Sequence, residues 1–141
     1  MQTFLPYPDF ARSAAVLDYR RLGKQRVEAL QILRTLLGVN DGWRHHPAVK
    51  MWKGYEVALA DYAIVMCDEW KRRGYKDTCA EKITDLMKNS GYIAYVVPFW
   101  LGDAKFHESH RSNLLRKQPE HYRQYWPSLT TTLPYIWPVK L

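Results

Sequence analysis

Cysteine is nearly absent from this chain: Cys67 and Cys79 are the only two in 141 residues, too few for a disulfide framework or a cysteine-built zinc site. Cys67 falls in an apolar helical pattern, where a small buried hydrophobe is expected. Long apolar runs are missing too. The most apolar stretch, residues 48–67, is broken by Lys50, Lys53, Glu56 and Asp61, so it cannot span a membrane and a membrane partner is excluded. No secretory leader is expected, because Phe4 and Leu5 run straight into Pro6 and Pro8. Internal repeats and low-complexity linkers are lacking, which leaves one domain spanning residues 1–141 as the simplest organisation. A reducing, cytoplasmic setting fits each of these absences.

Acidic residues are also scarce, with 14 Asp and Glu against 21 Lys and Arg for a formal charge of +7. A cationic domain of this size attracts polyanions across a Debye length of about 10 Å. Many of its cations are clustered rather than scattered, which favours nucleic acid over simple solubility. What the chain does have is aromatic mass: six Trp and ten Tyr in a composition 47% hydrophobic, enough to exclude disorder and to fill a core.

Local signals predict an all-α, compact helical bundle. Asp9 is placed to cap a helix over residues 10–17. A second helix follows over 19–37, ended by Gly38. Its apolar side is Val27, Leu30, Leu33 and Leu37, and its polar stripe is Arg20, Lys24, Glu28 and Gln31. Asn40, Asp41 and Gly42 signal a turn. Pro47 suits the first position of a long helix running to residue 73, with Gly74 just beyond. Shorter helices are expected over 78–89, closed by Ser90 and Gly91, and from an Asp103 cap to residue 117, with a further turn opened by Pro119. Residues 92–100 are aromatic and β-branched, and are expected as extended chain or a short buried turn. The Pro- and aromatic-rich tail, 125–141, should wrap the surface irregularly.

Three constellations could carry chemistry. In Asp18-Tyr19-Arg20-Arg21-Leu22-Gly23-Lys24-Gln25-Arg26, Arg20 and Lys24 lie one turn apart with Glu28 one turn further on. Such a face grips phosphates while holding a carboxylate close by; the same spacing also makes ordinary i,i+4 ion pairs. In Phe106-His107-Glu108-Ser109-His110-Arg111-Ser112-Asn113, the donors His107, His110, Arg111 and Asn113 fall on adjoining faces of one helix. The spacing is not that of the H-E-x-x-H zinc motif. His45 and His46 are the nearest candidates to complete a metal site, but no acidic ligands cluster with them, and phosphate or base-edge contacts are more economical. Finally, His121-Tyr122-Arg123-Gln124-Tyr125-Trp126 interleaves aromatics with a cation. That pattern serves base stacking, or equally the pinning of a tail to the core.

With these residues in view, the chain resembles the pyrimidine-dimer DNA glycosylase family typified by a phage endonuclease. Asp18-Tyr19-Arg20 with Leu22 and Lys24 is similar to the family's acidic-Tyr-Arg-x-Leu-x-Arg segment. Trp70-Lys71-Arg72-Arg73-Gly74-Tyr75 resembles the end of its central helix. His107-Glu108-Ser109 and the segment from Tyr122 to Trp126 resemble its His-Glu-Ala helix and aromatic C-terminal segment. The resemblance implies an all-helical monomer that needs no metal or organic cofactor and binds double-stranded, damaged or modified DNA. It also implies a free N-terminal α-amine that attacks C1′ of the damaged nucleotide. The Schiff base so formed permits abasic-site lyase cleavage by β-elimination. Gln2 is too large for ordinary removal of the initiator, so the amine expected here is that of Met1. An α-amine, with a pKa of about 8 against about 10.4 for lysine, is far more often neutral at pH 7.

The chain departs from the family at the catalytic carboxylate. Arg21 stands where the family glutamate follows the matched arginine, and Ala14 falls near the family's active-site histidine. Glu28, or else Glu108, is the carboxylate left to serve. The expected catalytic set is therefore Met1, Arg20 and Glu28. The expected DNA contacts are Arg21, Lys24, Arg26, His107, His110, Arg111, Asn113, Tyr122, Tyr125 and Trp126. Two other readings remain: a DNA-binding module for distorted or modified DNA that has lost catalysis, and an enzyme acting on a small nucleotide or modified base.

Overall fold

Four of the helices begin where an aspartate side chain satisfies their first free N–H groups. Asp9 accepts from the Arg12 amide at 2.9 Å and opens α1, Phe10–Val16. Asp18 accepts from the Arg21 amide and opens α2, Tyr19–Leu36. Asp103 accepts from the amides of Lys105 and Phe106 and opens α6, Ala104–Lys117. The helix α5, Cys79–Ser90, is capped from Asp77 rather than from the adjacent Thr78, and closes on Gly91 at φ 79°. Two short helices, α3 at Pro47–Lys50 and α7 at Pro119–Tyr122, both carry proline in their first turn. The seventh is α4, Glu56–Arg72. The computed structural model describes residues 1–139, and these are seven helices with no strand among the described residues. The protein is all-α; Lys140 and Leu141, the end of the tail expected to wrap the surface, lie outside the described residues.

The single long helix expected over 47–73 is two helices. Gly54 takes φ 89°, a left-handed conformation that a helix cannot pass through. The Met51 carbonyl, which would have continued the ladder, is instead taken by the Trp100 indole N–H at 3.0 Å. The Gly54 amide turns to the Glu56 carboxylate, where α4 begins. The break lets Met51 and Trp52 both point inward. Trp52 packs edge-on against Trp100 at 4.9 Å and against Phe10 and Tyr62. An aromatic ring of this size withdraws about 150–250 Å² from water, which at about 25 cal/mol per Å² is the largest single contribution in such a core.

Helix α4 packs against α1, α2 and α5, and α6 packs against α7. Val27, expected on the buried side of α2, is 43% exposed; the buried row is Leu22, Gln25, Ala29, Leu30, Ile32 and Leu33. Gln25 belongs to that row for a reason given below. Residues 92–97 form neither helix nor strand, and they lie on the surface rather than in a buried turn. No helix among the described residues is long and apolar enough to cross a membrane.

Candidate functional site

Residues 2–5 are threaded into the core outside any helix or strand, so their backbone groups must be satisfied by side chains. Gln25 serves two of them: its amide oxygen accepts from the Phe4 N–H at 2.8 Å and its amide nitrogen donates to the Gln2 carbonyl at 3.0 Å. The Tyr62 hydroxyl lies between the Phe4 carbonyl (2.8 Å) and Gln25 Oε1 (2.6 Å). The Trp52 indole donates to the Thr3 hydroxyl at 3.0 Å. From the opposite side, α6 supplies two histidines. His110 Nδ1 accepts from the Leu5 N–H at 2.9 Å. His107 Nδ1 lies 2.8 Å from the Leu5 carbonyl, while its Nε2 accepts from the Gly102 amide. Arg111 donates to the Pro6 carbonyl at 2.7 Å. Residues 2–5 are all buried. This clamp fixes where Met1 emerges.

Met1 emerges into a cleft of about 400 Å³ whose walls include Arg20, Arg21, Lys24, Glu28 and Lys117. The Glu28 carboxylate accepts from the Gln2 amide at 3.3 Å and from Gln25 Nε2 at 3.2 Å, and Lys24 Nζ stands 4.0 Å away. One carboxylate is thereby held one peptide unit from Met1 among four cations. Arg21 bridges Asp18 (3.2 Å) and Gln118 (3.0 Å), and Arg20 is exposed with Nε donating to the Tyr19 hydroxyl. Burial alone would raise the Asp18 carboxyl. Hydrogen bonds from Tyr122 and Arg21 outweigh it and hold that carboxyl below the usual range. Lys117 donates to the Tyr135 hydroxyl at 2.8 Å and lies over the Phe4 ring. Burial first, then Arg21 and Arg116, push its ammonium pKa down.

The residues singled out from sequence divide sharply. Met1, Arg20, Arg21, Lys24 and Glu28 come together at the cleft, and Tyr125 stays 41% exposed. Several of the residues expected to contact DNA are internal rather than exposed. His107, His110, Asn113, Tyr122 and Trp126 are buried. The two histidines hold the N-terminal segment, as described. Asn113 donates to the carbonyls of Ser109 and Leu133, fastening the tail. Tyr122 donates to Asp18 and accepts from its amide, and Trp126 donates to the Tyr7 hydroxyl. Arg26 pairs with Asp77 at 2.5 Å and lies over the Trp70 ring, tying α2 to the start of α5. Arg111 is half-buried against Pro6 and Tyr7. Among the described residues no three His, Cys, Asp or Glu side chains lie close enough to hold a metal ion.

Lys117 was missed, because it looked like an ordinary cation at a helix C-terminus. Its spacing from His110 is the available signal: seven residues apart on one helix, the two share a face, and that face is turned to the N-terminal segment.

The cleft thus brings the emerging chain end, one carboxylate and four cations together on a small helical scaffold. Among known proteins, the family model for pyrimidine dimer DNA glycosylase matches residues 1–83. The chain belongs to that family, which carries a DNA substrate and a place in DNA repair. The matched stretch includes the Asp18 to Lys24 segment and the end of α4; the α6 histidines and the segment from Tyr122 to Trp126 lie beyond it. Neither a curated protein nor a solved structure matches the chain.

Proposed function

We propose that the protein is a DNA glycosylase with abasic-site lyase activity, working on damaged or modified double-stranded DNA through the α-amine of Met1. The observation that carries this reading is the placement of Glu28, hydrogen-bonded to the Gln2 amide, beside the emerging chain end in a cationic cleft. In this reading Arg20, Arg21, Lys24 and Lys117 hold phosphates flanking the target nucleotide. The neutral amine attacks C1′ and forms a C–N bond, while the glycosidic bond breaks and its electron pair leaves with the base. Glu28 stabilises the positive charge that develops on the sugar and accepts a proton from the attacking nitrogen. The nitrogen lone pair then opens the sugar, breaking the C1′–O4′ bond as O4′ takes a proton, and loss of a C2′ proton from the resulting iminium expels the 3′ phosphate. Glu28 thereby supplies, from one helix side and two turns on, the carboxylate that Arg21 cannot.

The test is borohydride trapping on duplexes carrying an abasic site or ultraviolet photoproducts, followed by peptide mapping of the adduct. The adduct is expected on Met1, and Glu28→Gln should slow trapping by about 100-fold or more while leaving binding in place. An adduct mapped to Lys24 or Lys117, the other amines in the cleft, would overturn the assignment of the nucleophile. No adduct from any of these amines would overturn the lyase reading itself.

A further inference from the structure

The polar stripe of α2 continues past the Met1 cleft. With about 3.6 residues per turn, Arg20, Lys24, Glu28, Gln31 and Thr35 fall within one quarter of the helix circumference. Leu22, Ala29, Ile32 and Leu33 lie outside that quarter and are buried. At a rise of about 1.5 Å per residue the stripe runs about 22 Å, and Thr35 stands about 10 Å beyond Glu28 along it. The Met1 cleft takes up the first part of this face.

Thr35 is a wall of a second cleft, of about 520 Å³, together with Arg44, Lys50, Lys53 and Glu56. The three cations are exposed, and among the described residues none of them is in an ion pair. Arg44 spends only its Nε, on the neighbouring His45 ring. Glu56 is the one carboxylate in the wall; it is 7% exposed and accepts from the Gly54 amide at 3.3 Å, so it does not discharge them. The cluster at Lys71, Arg72 and Arg73 differs, since each of those cations is paired with Asp68 or Glu69. The loop that carries Arg44 also approaches the chain end. Two residues on, the His46 imidazole pKa is lowered by burial first and then by the charge of the N-terminal amine, while Glu28 acts in the opposite sense.

We propose that Arg44, Lys50 and Lys53 form a second phosphate-contact patch, which grips the arm of the substrate duplex lying along α2 on one side of the Met1 cleft. One strand of a duplex advances about 3.4 Å per nucleotide. A patch about 10 Å past Glu28 therefore meets phosphates about three nucleotides from the reacting sugar. Cations without a protein partner displace the counterions of DNA without first breaking an ion pair of their own. Such contacts carry no sequence information, but they fix the register and direction of the DNA. Binding is thereby asymmetric: a target near a duplex end is held well from one side and poorly from the other. The position of the reacting nucleotide rests on the reading of the cleft given above.

The test uses duplexes with a single tetrahydrofuran abasic analogue. This probe has no aldehyde, so it reads binding whether or not the protein is a lyase. One duplex has arms of about 10 base pairs on both sides of the analogue, and in two others one arm or the other is cut to about 2. Anisotropy titrations at several salt concentrations should give the double variant Lys50→Gln/Lys53→Gln a Kd about 10-fold or more above wild type on the full duplex, with a salt slope lower by about 2. That difference should vanish on one trimmed duplex and persist on the other. Lys50→Arg/Lys53→Arg should bind as wild type does, and Lys82→Gln, at an exposed lysine of α5, should leave the slope unchanged. An unchanged slope in the double variant overturns the patch, as does an equal difference on both trimmed duplexes or an equal slope loss from Lys82→Gln. Arm-specific loss without a borohydride adduct sinks only the lyase reading. Adducts without arm-specific loss sink this inference alone, and no binding to any duplex sinks both.

Discussion

His110 is buried on all sides, and its Nδ1 accepts from the Leu5 N–H, so its single proton sits on Nε2, which has no partner. Burial, helped by His107 and Lys117, depresses its pKa from 6.5 to about 3. The unfolded chain takes up a proton near pH 6.5, whereas the folded chain refuses it until much lower pH. The stability this ring contributes is therefore complete above pH 6.5 and is lost as pH falls toward 3. The slope is about 1.4 kcal/mol per pH unit, so the loss between pH 7.5 and 4.5 comes to about 2–3 kcal/mol. His107, also shifted down by burial, adds a loss of the same sign. In His110→Asn an amide oxygen can keep the Leu5 hydrogen bond but cannot titrate. At pH 7.5 the variant should be less stable by about 1–3 kcal/mol, because ring contacts with Phe4, Phe106 and Tyr135 are gone. Urea unfolding of both proteins at intervals from pH 7.5 to 4.5 should show that gap closing by about 2–3 kcal/mol as the wild type weakens. Parallel curves would refute the account of a neutral, buried His110. The same acid titration should speed hydrogen exchange at the Leu5 amide ahead of global unfolding, since protonation removes its acceptor.

Two further substitutions probe the packing around the cleft. Gln25→Leu removes the acceptor of the Phe4 amide and the donor to the Gln2 carbonyl, both buried, and should lower stability by about 2–4 kcal/mol in urea unfolding; a loss under about 0.5 kcal/mol would mean the segment is held without it. Gly23→Ala would ordinarily gain about 1 kcal/mol in a helix interior. Here a Cβ would meet the Trp70 ring at 3.0 Å, and that ring is fixed by its hydrogen bond to the Lys76 carbonyl, by Arg26 and by Tyr75. The melting temperature should fall rather than rise, and a rise would show that the ring gives way.

The features that could be read from sequence were those set by near neighbours. The Asp9 and Asp103 caps and the Gly91 stop depend on groups within a turn, and their helices begin and end almost where the residues suggest. The i,i+4 stripe of Arg20, Lys24 and Glu28 likewise reaches the cleft intact. What could not be read depends on distant partners. Trp100 takes the Met51 carbonyl across 49 residues and splits the predicted helix. The polar face of α6 looked like a contact surface, yet its His107, His110 and Asn113 turn inward, because backbone from the N-terminal segment and the tail needs their hydrogen bonds. Polar residues on an amphipathic helix do not announce whether they serve a ligand or an unpaired strand.

The clamp around residues 2–5 also sets an order of events during folding. Its partners lie 21 residues away at Gln25, 49 at Trp52, 58 at Tyr62 and 105 at His110. Loop closure of that span delays the outermost contacts, so residues 2–5 are the last to be locked. Until α6 docks, four residues destined for the interior stay wet and the Met1 amine has no fixed bearing on Glu28. Helical content should thus recover early in refolding, with the N-terminal amides gaining protection only in the final phase.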